Sequence, residues 1–138
     1  MTNNDSFTEK LRSAGLRPTK QRLQICRLLF DRNETFHFTI SDISKTLKSQ
    51  NYGKLSLATI YNTIHSFKKK GYLKEISINS DKSYFDTNTS NHHHFLDEKT
   101  NELVDLPIND VGDVKIKKSL PGKKIKSIEV LVKVENNY

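Results

Sequence analysis

The residues SLATIYNTIHSFKKKGYL, which run from Ser56 to Leu73, decide the fold of this chain. Four apolar residues recur there at the spacing of one helix face: Leu57, Ile60, Ile64 and Phe67. Serine is a preferred residue at a helix N-terminus, and Gly71 is typical of the position that follows a helix C-terminus. The stretch therefore predicts an amphipathic helix that begins after Ser56, ends before Gly71 and buries one face.

Another face of this helix carries short polar side chains: Thr59, Asn62, Thr63 and Ser66. A helix that reads DNA presents such groups to base edges while its apolar face packs on its own domain. The candidate groove contacts are Thr59, Tyr61, Asn62 and Ser66. The three lysines at the far end, Lys69 among them, are candidate phosphate contacts, and His65 is expected to be a surface residue rather than a metal ligand. The same pattern also fits a surface helix with an ordinary polar face.

Three helices are predicted before this one: Ser6–Arg12, Thr19–Phe30 and Ser41–Gln50. Gly15 ends the first helix, Cys26 lies in the apolar run of the second and is expected in the core, and Asn51–Lys54 is predicted to be a turn. Arg17 and Lys20, near the start of the second helix, are further candidates for phosphate or minor-groove contact.

Two β-rich stretches, Tyr72–Ile78 and Ser83–Asp86, flank a polar tip and predict a hairpin. Helices followed by a small hairpin predict a winged helix-turn-helix over residues 1–86. Residues 87–138 predict a small α/β module with strands at 92–96, 103–106 and 125–134 and a helix at 110–119. The fold class is therefore α+β, and the second module is expected to dimerise because about 50 residues make too small a core.

Charge separates the two halves of the chain. Residues 1–74 hold 14 basic and 5 acidic residues, whereas residues 75–138 hold 9 basic and 11 acidic ones. A basic half suits a polyanion such as DNA, because phosphates release counterions when lysine and arginine displace them. The acidic stretch that follows three consecutive histidines suits a cation instead.

Composition excludes several classes of protein. No apolar run approaches the roughly 20 residues of a membrane span, and the N-terminus lacks the apolar segment of a secretory signal. The single cysteine forms no internal disulfide and no four-cysteine zinc site. The chain is therefore expected to be cytoplasmic, with no membrane partner.

Three of the five histidines are consecutive, His92, His93 and His94. In an extended segment His92 and His94 point to one face and His93 to the other, so the triplet serves two sites. Neutral imidazole beside a carboxylate suits a divalent metal ion, imidazole also suits haem iron, and several acidic residues lie nearby in sequence. A solvated loop is the alternative interpretation.

Five segments, taken in order, resemble the ferric uptake regulator (Fur) family of bacterial metal-responsive regulators: AGLRPTKQR, HFTISDI, SLATIYNTIHSFKKKGYL, SYFDT and HHH. The resemblance runs from about Leu11 to Pro107, and SYFDTNTSNHHHF is most similar to the haem-linked iron response regulator (Irr) branch. The resemblance implies a homodimer whose winged helices bind a double-stranded DNA operator with two-fold symmetry and whose C-terminal modules pair.

The resemblance also implies ligands. A metal site at the domain junction is carried over, in the form used by the peroxide-sensing branch, to His37, Asp86, His92, His94 and Asp105. Haem binding is carried over to His92, His93 and His94. The implied cofactor is haem or Fe²⁺, with Zn²⁺ or Mn²⁺ as alternatives, and Tyr61 and Arg17 match a base contact and a minor-groove contact.

The chain departs from the family pattern at two of the family's metal sites. Gly112 stands where a second metal site usually has a glutamate, and the C-terminal stretch SIEVLV lacks a histidine. The CxxC pairs that hold structural zinc are absent. The second site and the four-cysteine zinc site are therefore expected to be lost.

The leading hypothesis is a dimeric transcription regulator, mainly a repressor, of iron and haem homeostasis that responds to haem or a divalent metal and is not an enzyme. An alternative within the family is a metal-corepressed iron, zinc or peroxide sensor. A metal-dependent hydrolase and a DNA-binding module without any ligand are the alternatives from other classes.

Overall fold

The computed structural model describes residues 3–50 and 55–138, so the turn expected at 51–54 lies outside the described residues. The chain divides into two compact units, Met1–Thr89 and Ser90–Tyr138. Both helices and strands occur, as the α+β class requires. None of the helices in the described part of the chain has the length and apolarity needed to cross a membrane.

The described part of the first unit contains four helices: α1 (Asn3–Ser13), α2 (Lys20–Phe30), α3 (Ile40–Ser49) and α4 (Leu57–Lys70). The four expected helices are thus confirmed, with bounds shifted by one to three residues. Side chains cap three of them, because the hydroxyl oxygens of Thr19, Thr39 and Ser56 accept hydrogen bonds from backbone N–H groups in the first turn. Gly71 ends α4 in the left-handed conformation, with φ of 93°.

A three-stranded antiparallel sheet forms the wing and contains β1 (His37–Phe38), β2 (Lys74–Asn79) and β3 (Lys82–Asp86), in the order β1-β3-β2. The expected hairpin is β2–β3. The strand β1 was not expected, because two residues are too few for a recognisable alternation. It places His37 opposite Asp86 and Phe38 opposite Phe85.

The core of the first unit is built from buried aliphatic and aromatic side chains of the helices and the wing, with Phe38, Phe67, Leu11 and Ile25 among the most buried. Cys26 is fully buried in this core, as expected. Thr63 was expected on the polar face of α4 but is also fully buried. Burial is tolerated because its hydroxyl donates a hydrogen bond to the backbone oxygen of Thr59, at 2.8 Å.

The second unit contains β4 (His93–Asp97), β5 (Glu102–Leu106) and β6 (Leu131–Val134), in the sheet order β5-β4-β6, with a 3₁₀ turn at Ile108–Asp110. A tight turn joins β4 to β5, and β6 returns parallel to β4. Asn101 adopts a left-handed conformation in this turn (φ 60°), which asparagine tolerates better than most residues.

Two expectations for the second unit are wrong. The helix predicted over 110–119 is absent: beyond the 3₁₀ turn this segment has no helix. Gly112 and the β-branched residues Val114 and Ile116 disfavour helix, and no side-chain cap starts one. The strand predicted over 125–134 is confined to Leu131–Val134, because only these residues have a strand partner, β4.

Candidate metal centre and DNA-reading helix

The first unit carries a histidine–carboxylate pair at the end of the wing. His37 and Asp86 are register partners in β1 and β3, so their side chains leave the sheet on the same face. His37 Nε2 lies 3.0 Å from Asp86 Oδ2. The other carboxylate oxygen, Oδ1, accepts a hydrogen bond from the backbone N–H of Asn88 at 2.8 Å, and Asp86 is fully buried. The pair is therefore held in place on both strands.

The second unit carries two histidines and a carboxylate on one face of its sheet. His94 is the register partner of Asp105, and His92 lies two residues before His94, so strand alternation places the two imidazoles on the same face. The ring centroids of His92 and His94 are 4.4 Å apart. Asp105 Oδ1 lies 3.0 Å from His92 Nε2 and 3.4 Å from His94 Nε2. One donor atom of each residue lies within 4.8 Å of the others.

The hydrogen bonding of His92 determines what the cluster in the second unit can hold. His92 Nδ1 lies 2.7 Å from the backbone oxygen of Ser90, which is only an acceptor, so Nδ1 carries a proton. A neutral His92 then turns the lone pair of Nε2 toward Asp105 Oδ1, and two acceptors face each other. A cation, either a proton or a metal ion, is needed between them.

The donor separations fit a divalent metal ion. Two ligand atoms at about 2.1 Å from one metal ion are about 3.0 Å apart in octahedral geometry and about 3.4 Å apart in tetrahedral geometry. The distances from Asp105 to His92 and His94 are 3.0 and 3.4 Å. Imidazole with carboxylate is a donor set suited to Fe²⁺, Mn²⁺ and Zn²⁺. The residues of the second unit thus fit such an ion, and the pair His37 and Asp86 offers the same donor types.

His93 has a different environment from its two neighbours. Its Nδ1 accepts a hydrogen bond from the backbone N–H of Val130 at 3.0 Å, and its side chain is buried. This bond fixes the chain that leads into β6. Within the described structure His93 therefore has a structural contact on the face of β4 opposite to His92 and His94.

Other carboxylates near the triplet have separate contacts. Asp97 Oδ1 accepts hydrogen bonds from the backbone N–H groups of Lys99 and Thr100 in the β4–β5 turn. Glu102 is exposed and lies three residues from Asp105, hence on the opposite face of β5. Among the described residues, the metal-ligand geometry includes Asp105 but neither of these two.

The helix α4 presents part of its expected DNA-reading face to solvent. Tyr61, Asn62 and Lys69 are exposed, and Ser66 is half-buried beside them. Thr59 is half-buried, and its hydroxyl lies 2.8 Å from that of Ser56 at the helix N-terminus. The side chain of Thr59 therefore contributes to the cap of α4.

The two basic candidates near the start of α2 are both exposed. Arg17 holds the entry to this helix through its backbone, because its carbonyl oxygen accepts a hydrogen bond from Nη1 of Arg22 at 2.8 Å. Lys20 is the first residue of α2. Both remain accessible for contact with phosphate.

Sequence reasoning missed two contributors to these sites. The backbone oxygen of Ser90 fixes the imidazole of His92, and no side-chain pattern announces a backbone acceptor. His65 is half-buried and lies outside the cluster of possible metal ligands, and its ring contacts those of Tyr61 and Phe85, which the sequence prediction did not include. The contact between Tyr61 and His65 could have been predicted, because the two residues are four apart on one helix.

A winged helix together with a cluster of histidine and carboxylate donors that could hold a metal ion is typical of metal-responsive DNA-binding regulators, and comparison with known proteins gives the family. The model of the ferric uptake regulator family matches residues 13–133. The chain belongs to the ferric uptake regulator family. Members of this family are dimeric DNA-binding transcription regulators, not enzymes, which places the chain outside the hydrolases.

Curated relatives are similar over most of the chain. The peroxide-responsive repressor PerR of Staphylococcus epidermidis (strain ATCC 12228 / FDA PCI 1200) is 38% identical over 104 residues, which cover 75% of this chain and 67% of the relative. The PerR of Staphylococcus aureus (strain Mu50 / ATCC 700699) is 36% identical over 104 residues, 75% of this chain and 68% of the relative.

Solved structures show the same fold. The ferric uptake regulator of Vibrio cholerae has a TM-score of 0.68 at 19% identity, covering 94% of this chain and 98% of that one. The regulator of Pseudomonas aeruginosa, solved with manganese, has a TM-score of 0.65 at 21% identity, covering 96% and 98%. The expected combination of an N-terminal winged helix-turn-helix and a small C-terminal module is thereby confirmed.

Proposed function

We propose that this chain is a repressor whose affinity for DNA is controlled by a divalent metal ion, Fe²⁺ or Mn²⁺ in preference to haem. The ligands in this proposal are His37, Asp86, His92, His94 and Asp105. The observation that carries it is the arrangement of donor atoms around Asp105 Oδ1, which lies 3.0 Å from His92 Nε2 and 3.4 Å from His94 Nε2, the separations expected for ligands of one divalent ion.

Each unit supplies part of the proposed ligand set. The first unit offers two donors and the second offers three, whereas Fe²⁺ and Mn²⁺ commonly take five or six ligands.

The chemistry supplied by the ion is electrostatic: it neutralises the two carboxylates and orients the three imidazoles. The protein holds the proposed ligands in place through its strand pairings. The β1–β3 pairing holds His37 and Asp86 on the wing, and the β4–β5 pairing holds His94 against Asp105. Occupancy of the site therefore acts on strand ends that are already aligned.

We propose that residues 1–86 form the DNA-binding domain, with Tyr61 and Asn62 on base edges and Lys69 on phosphate. Arg17, Lys20, Thr59 and Ser66 complete the proposed interface. Tyr61 and Asn62 lie on the exposed face of α4, and the excess of positive charge in residues 1–74 supports contact with a polyanion.

We propose that residues 87–138 form the dimerisation and sensing domain and that the homodimer binds an operator with two-fold symmetry. Residues 92–113 carry six acidic residues and one lysine, whereas residues 114–128 carry six lysines and no acid. Large aliphatic side chains are exposed in both stretches, including Val104, Ile108, Leu120 and Ile125. Two copies can therefore bury aliphatic surface and pair opposite charges together. Sedimentation is expected to give twice the chain mass of 16.0 kDa, and a monomer at micromolar concentration contradicts this part of the proposal.

Haem is the second candidate ligand, because it needs only one or two histidines and three are adjacent here. The structure gives a reason to place it second. His92, His93 and His94 are at most 7% exposed, so a porphyrin has to displace packed residues to reach any of their nitrogens. The Irr-like function and the cytoplasmic location remain predictions.

The experiment that tests this function measures DNA binding by the metal-stripped protein. A duplex is first selected from a random library with protein and Mn²⁺, and its affinity is then measured without metal, with Mn²⁺, Fe²⁺ or Zn²⁺, and with haem. We expect at least tenfold tighter binding with Mn²⁺ or Fe²⁺ and no response to haem. Tight binding without metal that is lost on one equivalent of haem refutes the proposal and establishes haem sensing. A response to peroxide only in the Fe²⁺-loaded protein extends the proposal to the activity named in the PerR relatives.

A further inference from the structure

His65 lies against Tyr61, the central residue of the proposed base-reading face. The two residues are one helical turn apart on α4, and their ring centroids are 4.1 Å apart with an angle of 40° between the planes. The side chain of Tyr61 is 51% exposed to solvent, and its ring also contacts that of His65. His65 therefore restricts the orientations that the Tyr61 ring can adopt.

His65 also contacts the wing. The ring of Phe85 in β3 meets His65 edge to face, with centroids 6.0 Å apart and planes at 85°. Phe85 is only 2% exposed, and it stacks on Phe38 with centroids 5.7 Å apart. His65 thus contacts both the exposed ring of Tyr61 and a buried ring of the wing.

Phe85 belongs to the strand pairing that also carries His37 and Asp86. Phe85 directly precedes Asp86 in β3, and Phe38 directly follows His37 in β1. Phe38 and Phe85 are register partners, as are His37 and Asp86. The position of Phe85 beside His65 therefore depends on the pairing of β1 with β3.

We infer that His65 is a positioning residue that holds the ring of Tyr61 in the orientation needed to contact a base. This inference rests on the proposed function, because it takes Tyr61 as a base-reading residue. Holding an exposed aromatic side chain before DNA arrives avoids the loss of its rotamer freedom on binding. The expected gain is about twofold to tenfold in the preference for the selected sequence.

The test uses full-length protein with Mn²⁺ and two duplexes of equal length, one selected from a random library by the wild type and one unselected. His65→Ala is expected to lower the ratio of the two affinities by about twofold to tenfold. His65→Phe keeps a ring between Tyr61 and Phe85 and is expected to preserve the ratio. In a Tyr61→Ala background, His65→Ala is expected to change the ratio no further, because its effect passes through Tyr61.

Several results overturn the inference. Equal losses in His65→Ala and His65→Phe mean that the imidazole itself, rather than a supporting ring, is required. Additive losses in the double variant mean that His65 acts independently of Tyr61. Nuclear Overhauser contacts between the two rings in the wild type give a measurement that needs no variant, and their absence refutes the packing.

The same data separate this inference from the proposed function. A wild type that binds both duplexes equally contradicts the proposed function. A wild type that discriminates, together with a His65→Ala protein that discriminates equally well, contradicts only the role of His65. Thermal unfolding and Mn²⁺ affinity of each variant show whether a loss of preference arises from altered folding or from an altered metal site.

Discussion

His37 and Asp86 face each other in the pairing of β1 with β3, with Nε2 and Oδ2 3.0 Å apart. The residues that adjoin them, Phe38 and Phe85, are stacked in the buried core. Thr39 follows at once and caps α3 with a reciprocal pair of hydrogen bonds to Asp42. The position of this histidine is therefore set by an aromatic pair, a strand register and a helix cap within three residues.

Asp105→Asn is expected to weaken binding of Mn²⁺ or Co²⁺ by at least about tenfold, because it replaces a charged ligand by a neutral amide. Glu102→Gln is the matched control: it removes the same charge from the same strand but from the opposite face. Titration calorimetry or Co²⁺ absorption measures both affinities. Equal weakening in the two variants assigns the effect to general charge and removes Asp105 from the ligand set.

Tyr61→Phe is expected to narrow the discrimination between a selected duplex and a random one, because it removes a polar group from the exposed face of α4. Fluorescence anisotropy on the two duplexes measures the change. If the affinities for both duplexes fall equally, Tyr61 has no role in reading bases.

Lys69→Ala is expected to weaken binding to any sequence and to reduce the slope of log affinity against log salt by about one, as loss of one phosphate contact requires. Lys133→Ala serves as the control, since it removes the same charge from an exposed position in β6 of the second unit. A full salt slope in Lys69→Ala shows that this lysine does not contact phosphate.

The thiol of Cys26 is expected to be unreactive in the folded protein. Burial raises the pKa of Cys26 to about 12, and its side chain is fully buried in the first unit. At pH 8 the thiolate fraction is then lower than that of an ordinary cysteine by about a thousandfold. Ellman's reagent is expected to react slowly in native buffer and rapidly in guanidinium. Rapid reaction in native buffer refutes burial and makes Cys26 a candidate redox residue.

Glu75 is expected to stabilise the wing at neutral pH and to lose this effect in acid. Hydrogen bonds from Lys68 and Ser83, at 2.6 Å each, lower the pKa of Glu75 below its ordinary value of 4.5. Stability gained from a lowered carboxylate pKa is present above the ordinary value and is lost as pH falls through the folded value. Glu75→Gln is therefore expected to cost about 1 kcal/mol at pH 7 and less below pH 4. Thermal unfolding of both proteins across this range measures the difference, and a cost that does not change with pH contradicts the ion pair.

The helices and the wing were predictable because their signals are local. Capping residues, apolar periodicity and Gly71 define α4 without reference to any other element. Thr63 shows the limit of that reasoning, since periodicity gives it a place on a helix but does not say how wide the buried face is. That width depends on the elements that pack against α4, which include α2 and α3.

The residue types of the candidate site and the faces of its histidines were predictable from the sequence, but the long-range partners of these residues were not. Alternation in an extended strand correctly predicts that His92 and His94 share a face and that His93 points away from them. His93 accepts its hydrogen bond from the backbone N–H of Val130, which is 37 residues away in sequence. The segment before Val130 is the one for which a helix was wrongly predicted. Long-range partners of this kind depend on tertiary pairing, which local sequence patterns do not encode.

The parallel return of β6 to β4 bears on the order in which the second unit folds. Pairing of β4 with β5 needs only the short turn between Asp97 and Glu102, whereas pairing of β4 with β6 brings His94 beside Leu131 across a long irregular connection. The entropy of closing that loop delays the second pairing and makes it the first to open, so amide hydrogens of β6 should exchange before those of β5. His94 and Asp105 belong to the early hairpin, and His92 directly precedes it. The ligands proposed in the second unit are therefore aligned before the last strand has docked.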